Sequence, residues 1–227
     1  MIRWLPQGRL RLALHTLRDQ RPRDTAGALL LLHGLGERSP GAVPDYVNTW
    51  PGAVFALDFT GHGASSVPQG GGYTCEALML DAVAAVDTIG PCILLGRGLG
   101  AYVALMTAAV RAERVRGTVL SDGPGLAGGG DGAQTPFLPQ VVATGTTTPD
   151  PHALADLATD VRHPAAAARW AQLLREAHAG PTHLHLCLRE PVPWAQAVAQ
   201  VLEIPAVTPL ASALAACEGL FQESRSS

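Results

Sequence analysis

Pro91-Cys92-Ile93-Leu94-Leu95 runs directly into Gly96-Arg97-Gly98-Leu99-Gly100, and Ala101-Tyr102-Val103-Ala104-Leu105-Met106 follows. The first five residues form the short apolar run of a buried strand, and the last six continue a helix rich in small residues. Three glycines at alternate positions between them mark a sharp strand-to-helix turn. The middle position, Gly98, has no side chain, so the turn presents no reactive atom.

Two further landmarks lie upstream. Ala28-Leu29-Leu30-Leu31-Leu32 is a buried-strand run ending in His33-Gly34-Leu35-Gly36, and Val54-Phe55-Ala56-Leu57 ends in Asp58-Phe59-Thr60-Gly61-His62-Gly63-Ala64-Ser65. With the glycine turn they reproduce, in order and spacing, H-G-x-G, D-x-x-G-H-G-x-S and the G-x-S-x-G nucleophile elbow. The chain therefore resembles the α/β-hydrolase family, well over residues 9–123 and loosely beyond. The resemblance implies the α/β-hydrolase fold, a mostly parallel sheet with helices on both faces and a small cap insertion. The core is expected over 1–123 and 181–227, and the helical cap over 124–180.

Acyl transfer on this fold needs a nucleophile, a base and amides that hold an oxyanion. The resemblance places those amides on Leu35 and Leu99, where substitution of side chains cannot remove them. The nucleophile position is the degenerate Gly98. The family carries its base on a loop that maps near Pro209–Ser212, yet no histidine follows His185, and the complete-looking terminal helix argues against truncation as the cause. Asp122 and Glu190 follow strands where the family places its acid, and a strand-end carboxylate more often caps a turn. His33 and His62 lie in pocket loops and ordinarily shape turns. Arg97, beside the elbow, either grips an anion or forms a salt bridge. Gly34, Leu35, Arg97, Gly98, Leu99 and Trp170 are the expected ligand contacts, in a pocket under the cap. A serine restored at Gly98 would place a hydroxyl beside two oxyanion amides without a base, and Gly98 itself is expected at positive φ.

Other patterns are bland. His183, His185 and Cys187 alternate along one strand face, but a buried parallel strand explains them without a metal, and no cofactor is called for. Cys75, Cys92, Cys187 and Cys217 lack C-x-x-C spacing and read as buried thiols. All sixteen basic residues are arginine and the formal charge is −3. The N-terminal arginines are interrupted by Asp19 and Asp24, so no nucleic-acid surface is expected. No apolar run approaches the roughly 20 residues of a membrane span, and Arg11 and His15 break the only signal-like stretch. A cytoplasmic protein is the expectation, with oligomeric state unspecified.

Three functional classes follow. The first is a hydrolase-like protein without the triad that binds a small, mostly apolar, oxygen-bearing ligand. The second is an enzyme of non-standard mechanism using His33, His62, Asp122 or Glu190. The third is a structural partner subunit.

Overall fold

The computed structural model describes residues 1–19, 27–126, 148–158, 160, 162–178, 180–189 and 192–223. Among them, seven strands form one sheet: β1 (Ile2–Gln7), β2 (Leu10–Arg18), β3 (Ala28–Leu32), β4 (Val54–Asp58), β5 (Cys92–Arg97), β6 (Val115–Ser121) and β7 (Leu184–Cys187). Their spatial order is β1-β2-β4-β3-β5-β6-β7. β2 pairs antiparallel with both β1 and β4, and every pairing from β4 to β7 is parallel.

Parallel strands need crossovers, and helices supply them. The helices are α1 (Cys75–Ile89), α2 (Leu99–Val110), α3 (Pro151–Ala158), α4 (Pro164–Ala177), α5 (Pro193–Leu202) and α6 (Leu210–Glu223). α1 starts after Thr74, whose side chain accepts from the Ala77 amide and satisfies one of the helix's orphan donors. Side-chain alternation divides the core between the two faces. Leu30, Leu32 and Leu94 pack with α1, α2, α4 and α5. Leu29, Leu31 and Leu95 pack with α6 and the turn around Val47 and Trp50.

Three readings of the sequence change. The polar–apolar alternation of Arg9–Leu17 predicts an antiparallel edge strand, but Ile2–Gln7 lies outside it as β1, an exposed edge where Pro6 is tolerated. The stretch after Pro40 and Pro44 suggests a short helix near 44–50, but only a 3-10 turn, Asp45–Val47, forms. Ala206–Thr208 forms no strand and contributes one ladder-like bond, from the Thr208 amide to the Leu186 carbonyl. α4 packs against α2 and α5 in the layer over the sheet.

The glycine turn sets how closely α2 approaches the sheet. A Cβ on Gly100 would lie 2.5 Å from the carbonyl oxygens of both Leu32 and His33, so no side chain fits between α2 and the end of β3. Gly100→Ala must push α2 away from the sheet. It should destabilise by about 1–3 kcal/mol, as overpacking of a tight core does, measurable as a lower urea midpoint with unchanged slope.

Candidate functional site

The elbow joins β5 to α2 with Gly98 at φ 51°, ψ −115°. That is the positive-φ turn expected, a backbone geometry that strains any residue with a side chain. The Gly98 amide donates to Ser121 at the end of β6, and its carbonyl accepts from Ala101, so both neighbouring elements hold the turn.

Leu35 and Leu99, the two amides assigned to an oxyanion, both donate to one atom: the Pro124 carbonyl oxygen, at 2.9 Å from each. After β6 the chain doubles back, and Gly123-Pro124-Gly125-Leu126 lies across the elbow. A Cβ on Gly98 would overlap the Pro124 oxygen and lie 2.5 Å from that of Gly123. A Cβ on Gly34 would meet the Pro124 ring at 2.6 Å, and one on Gly125 would meet Leu99 at 2.9 Å. The Trp194 indole N–H donates to the Leu126 carbonyl at 3.3 Å and pins the far end of this strap. The space left beside the elbow, bordered by Gly98, Asp122, Gly123, Leu126 and Trp194, is about 10 Å³. That is scarcely room for one water. The chain's own peptide therefore fills the space expected to hold a ligand.

His33 and His62 lie side by side, ring centroids 5.1 Å apart, and both are buried. His33 Nε2 accepts from the Phe59 amide, and Nδ1 pairs with the Gly34 carbonyl at 2.7 Å. His62 Nε2 accepts from the Gly36 amide, and Nδ1 pairs with the Thr60 carbonyl. Each ring thus needs its proton on Nδ1 and its lone pair on Nε2, and neither nitrogen is free to move a proton. Burial drives both imidazoles below their ordinary range, His33 to about 4.

Asp58 ties the other loops together, accepting from the amides of Ser39 and Ala64 and pairing with His15. Burial alone would raise its carboxyl, but those amides and His15 outweigh it and hold it below the usual range. Ser65 donates to the Asp58 carbonyl and accepts from the Ala13 amide.

The remaining assignments separate in space. Arg97 makes a two-pronged pair with Glu37, Nε to Oε2 at 3.1 Å and Nη2 to Oε1 at 2.8 Å, and Glu37 also accepts from the Gly34 amide. Asp122 accepts from the backbone and side chain of Arg189, a turn-holding role. Glu190 lies outside the described residues. Trp170 is half-buried on α4, packed against the main core. α3 covers part of the carboxyl-end loops: Asp150, capping it, accepts from the Tyr73 hydroxyl, and its own amide donates to Gly61. Of the expected cap, 127–147 lie outside the described residues. His183, His185 and Cys187 join no metal-binding cluster among the described residues. The sequence reading missed Pro124, Trp194 and Glu37. Only the Gly123-Pro124-Gly125 spelling hinted at a tight turn, and nothing in it named the amides it reaches.

A fold of this order, with the elbow after the fifth strand, can be compared with known proteins. The model of the alpha/beta hydrolase family matches residues 29–220, and the chain belongs to that family. Among solved structures it is similar to Est1E from Butyrivibrio proteoclasticus, solved with ferulic acid (TM-score 0.62, 12% identity, 99% of this chain and 100% of that one). It is also similar to a bacterial membrane phospholipase A (TM-score 0.58, 19% identity, 100% and 87%). A third is N-formylmaleamic acid deformylase from Pseudomonas putida (TM-score 0.56, 17% identity, 92% and 91%). These likenesses show the fold. The chain spans less than half the length of several other structures it matches, 46%, 39% and 45% of them. No curated protein matches.

The geometry revises the expectation for Gly98→Ser. The new side chain would meet backbone, not an open site, so the variant should lose on the order of 3 kcal/mol or more, combining positive-φ strain with overpacking. Thermal unfolding checks this, with Gly98→Ala expected to lose nearly as much.

The buried histidines set a second expectation. In the unfolded chain they take up protons near 6.5, whereas in the folded chain His33 stays neutral to about 4. Unfolding therefore absorbs protons as pH falls through that window, and stability drops with it. Asp81 works in the opposite direction, because burial raises its carboxyl to about 7. Asp81→Asn should accordingly steepen the acid loss measured by denaturant titration between pH 7 and pH 4.

Proposed function

We propose that this protein is a catalytically silent member of the α/β-hydrolase family that acts by binding and not by acyl transfer. The Pro124 carbonyl carries the reading. It takes both amides that would stabilise an oxyanion, above an elbow without a side chain. An acyl substrate would have to displace a peptide already held by two backbone hydrogen bonds, and no hydroxyl or thiol on the elbow would attack it.

A non-standard enzyme is the weaker reading. Its candidate bases, His33 and His62, have both ring nitrogens engaged with backbone, and its candidate acid, Asp122, is spent on Arg189. Est1E with ferulic acid and the phospholipase suggest oxygen-bearing, partly apolar molecules as the chemistry this fold accommodates. By analogy alone, such molecules are the ligand class we favour.

The test is hydrolysis of p-nitrophenyl acetate and butyrate, with labelling by a fluorophosphonate. The wild type should give no saturable turnover and no covalent adduct, and His62→Asn should leave the background rate unchanged. Saturable turnover abolished by His62→Asn or Asp122→Asn would establish the enzyme reading instead.

A further inference from the structure

A second cleft, of about 360 Å³, opens beside the Arg97 side chain. That volume lies in the range of small-molecule sites. It exists because the β3–β4 connection forms only a 3-10 turn, so no helix lies over that end of the sheet. Its floor is one row of side chains across three neighbouring strands. Leu31 is in register with Ala56 on one side and with Leu95 on the other. Pro40 and Pro44 form a wall that brings no amide hydrogen to satisfy.

The polar end is made of donors. Arg97 follows Leu95 by two residues and so projects from the same face of β5. Glu37 occupies its Nε and Nη2, which leaves Nη1 with no hydrogen bond among the described residues. Glu37 is itself held by the Gly34 amide, so the guanidinium is fixed before any ligand arrives. Arg38 and the Tyr46 hydroxyl, also lining the cleft, have no hydrogen-bond or ion-pair partner among the described residues. Ser39, also lining the cleft, is turned to Asp58, which takes its amide. Two arginines and one glutamate thus line the cleft, above an apolar floor.

We infer that this cleft is a binding site for a small monocarboxylate with a compact apolar body. The carboxylate meets Arg97 Nη1, Arg38 and Tyr46, while the body lies on Ala56, Leu31 and Leu95. Charge selects this class. A neutral molecule leaves the net positive charge of Arg97, Arg38 and Glu37 unbalanced, and a phosphate dianion brings one charge more than the lining offsets. The inference rests on the binding reading above and gives it a location away from the elbow.

The test uses the full chain and isothermal titration calorimetry with phenylacetate, hexanoate and indole-3-carboxylate, with 2-phenylethanol and phenyl phosphate for comparison. At least one carboxylate should bind saturably and more tightly than either comparison compound. Arg38→Ala should weaken that binding about tenfold and Tyr46→Phe about threefold, the scale of single hydrogen bonds to a charged group, with unfolding temperatures unchanged. No saturable binding by any of the three would overturn the inference, as would equal binding of 2-phenylethanol or tighter binding of phenyl phosphate. So would a site sensitive to Trp194→Phe but indifferent to Arg38→Ala, which would return the ligand to the elbow. Ester turnover in the earlier assay would defeat the silent-member reading without changing these binding results.

Discussion

One carbonyl oxygen, that of Pro124, accepts from two amides that nothing else among the described residues satisfies. A carbonyl oxygen has two lone pairs, so the arrangement is complete. Each amide left buried and unpaired would cost about 1–3 kcal/mol. A loop that aims two N–H groups at one point has to supply an acceptor there, from substrate, solvent or itself. Here the chain supplies its own, and the remaining space beside the elbow is close to the size of a single water.

The strap and the bare elbow are consequences of one another. Pro124 reaches the amides only because nothing projects from Gly98, and a side chain at Gly98 is excluded while the strap lies there. The space beside Gly98 is taken by backbone, and a serine at that position does not fit unless Gly123–Leu126 first moves away. Trp194 opposes that movement from α5, with its indole bonded to Leu126 and its ring edge against Tyr102 at 5.3 Å.

What the sequence made legible were features written in local pattern. The leucine run of 28–32, the glycines of 96–100 and the D-x-x-G-H-G-x-S stretch fix strands, turns and their order, because burial on both faces and close approach leave compositional marks. The strap left no such mark. Its decisive contacts join Pro124 to Leu35 and Leu99 through backbone atoms, which every residue possesses. β1 was hidden by Pro6 and by its exposed edge position. The second cleft was hidden because Asp45–Val47 carries enough apolar character to suggest a longer helix than forms. Arg97 was legible as a charged group beside the elbow. Its partner, Glu37, was not, since pairing between the two loops depends on how both turn at the sheet's end.

The motif residues persist for a reason separate from catalysis. The Leu35 amide points at the elbow because the turn around it is held at three places: His33 bonds the Gly34 carbonyl, Glu37 the Gly34 amide, and His62 the Gly36 amide. His62 is positioned in turn by the loop after β4, and Asp58 closes that loop by accepting from Ala64 while it anchors Ser39. None of these bonds involves position 98. The bonds that aim the amides are thus mechanically independent of what occupies position 98. A family signature can remain readable under these conditions, because the residues that spell it are those that build the cradle, whether a substrate oxygen or the chain's own carbonyl rests there.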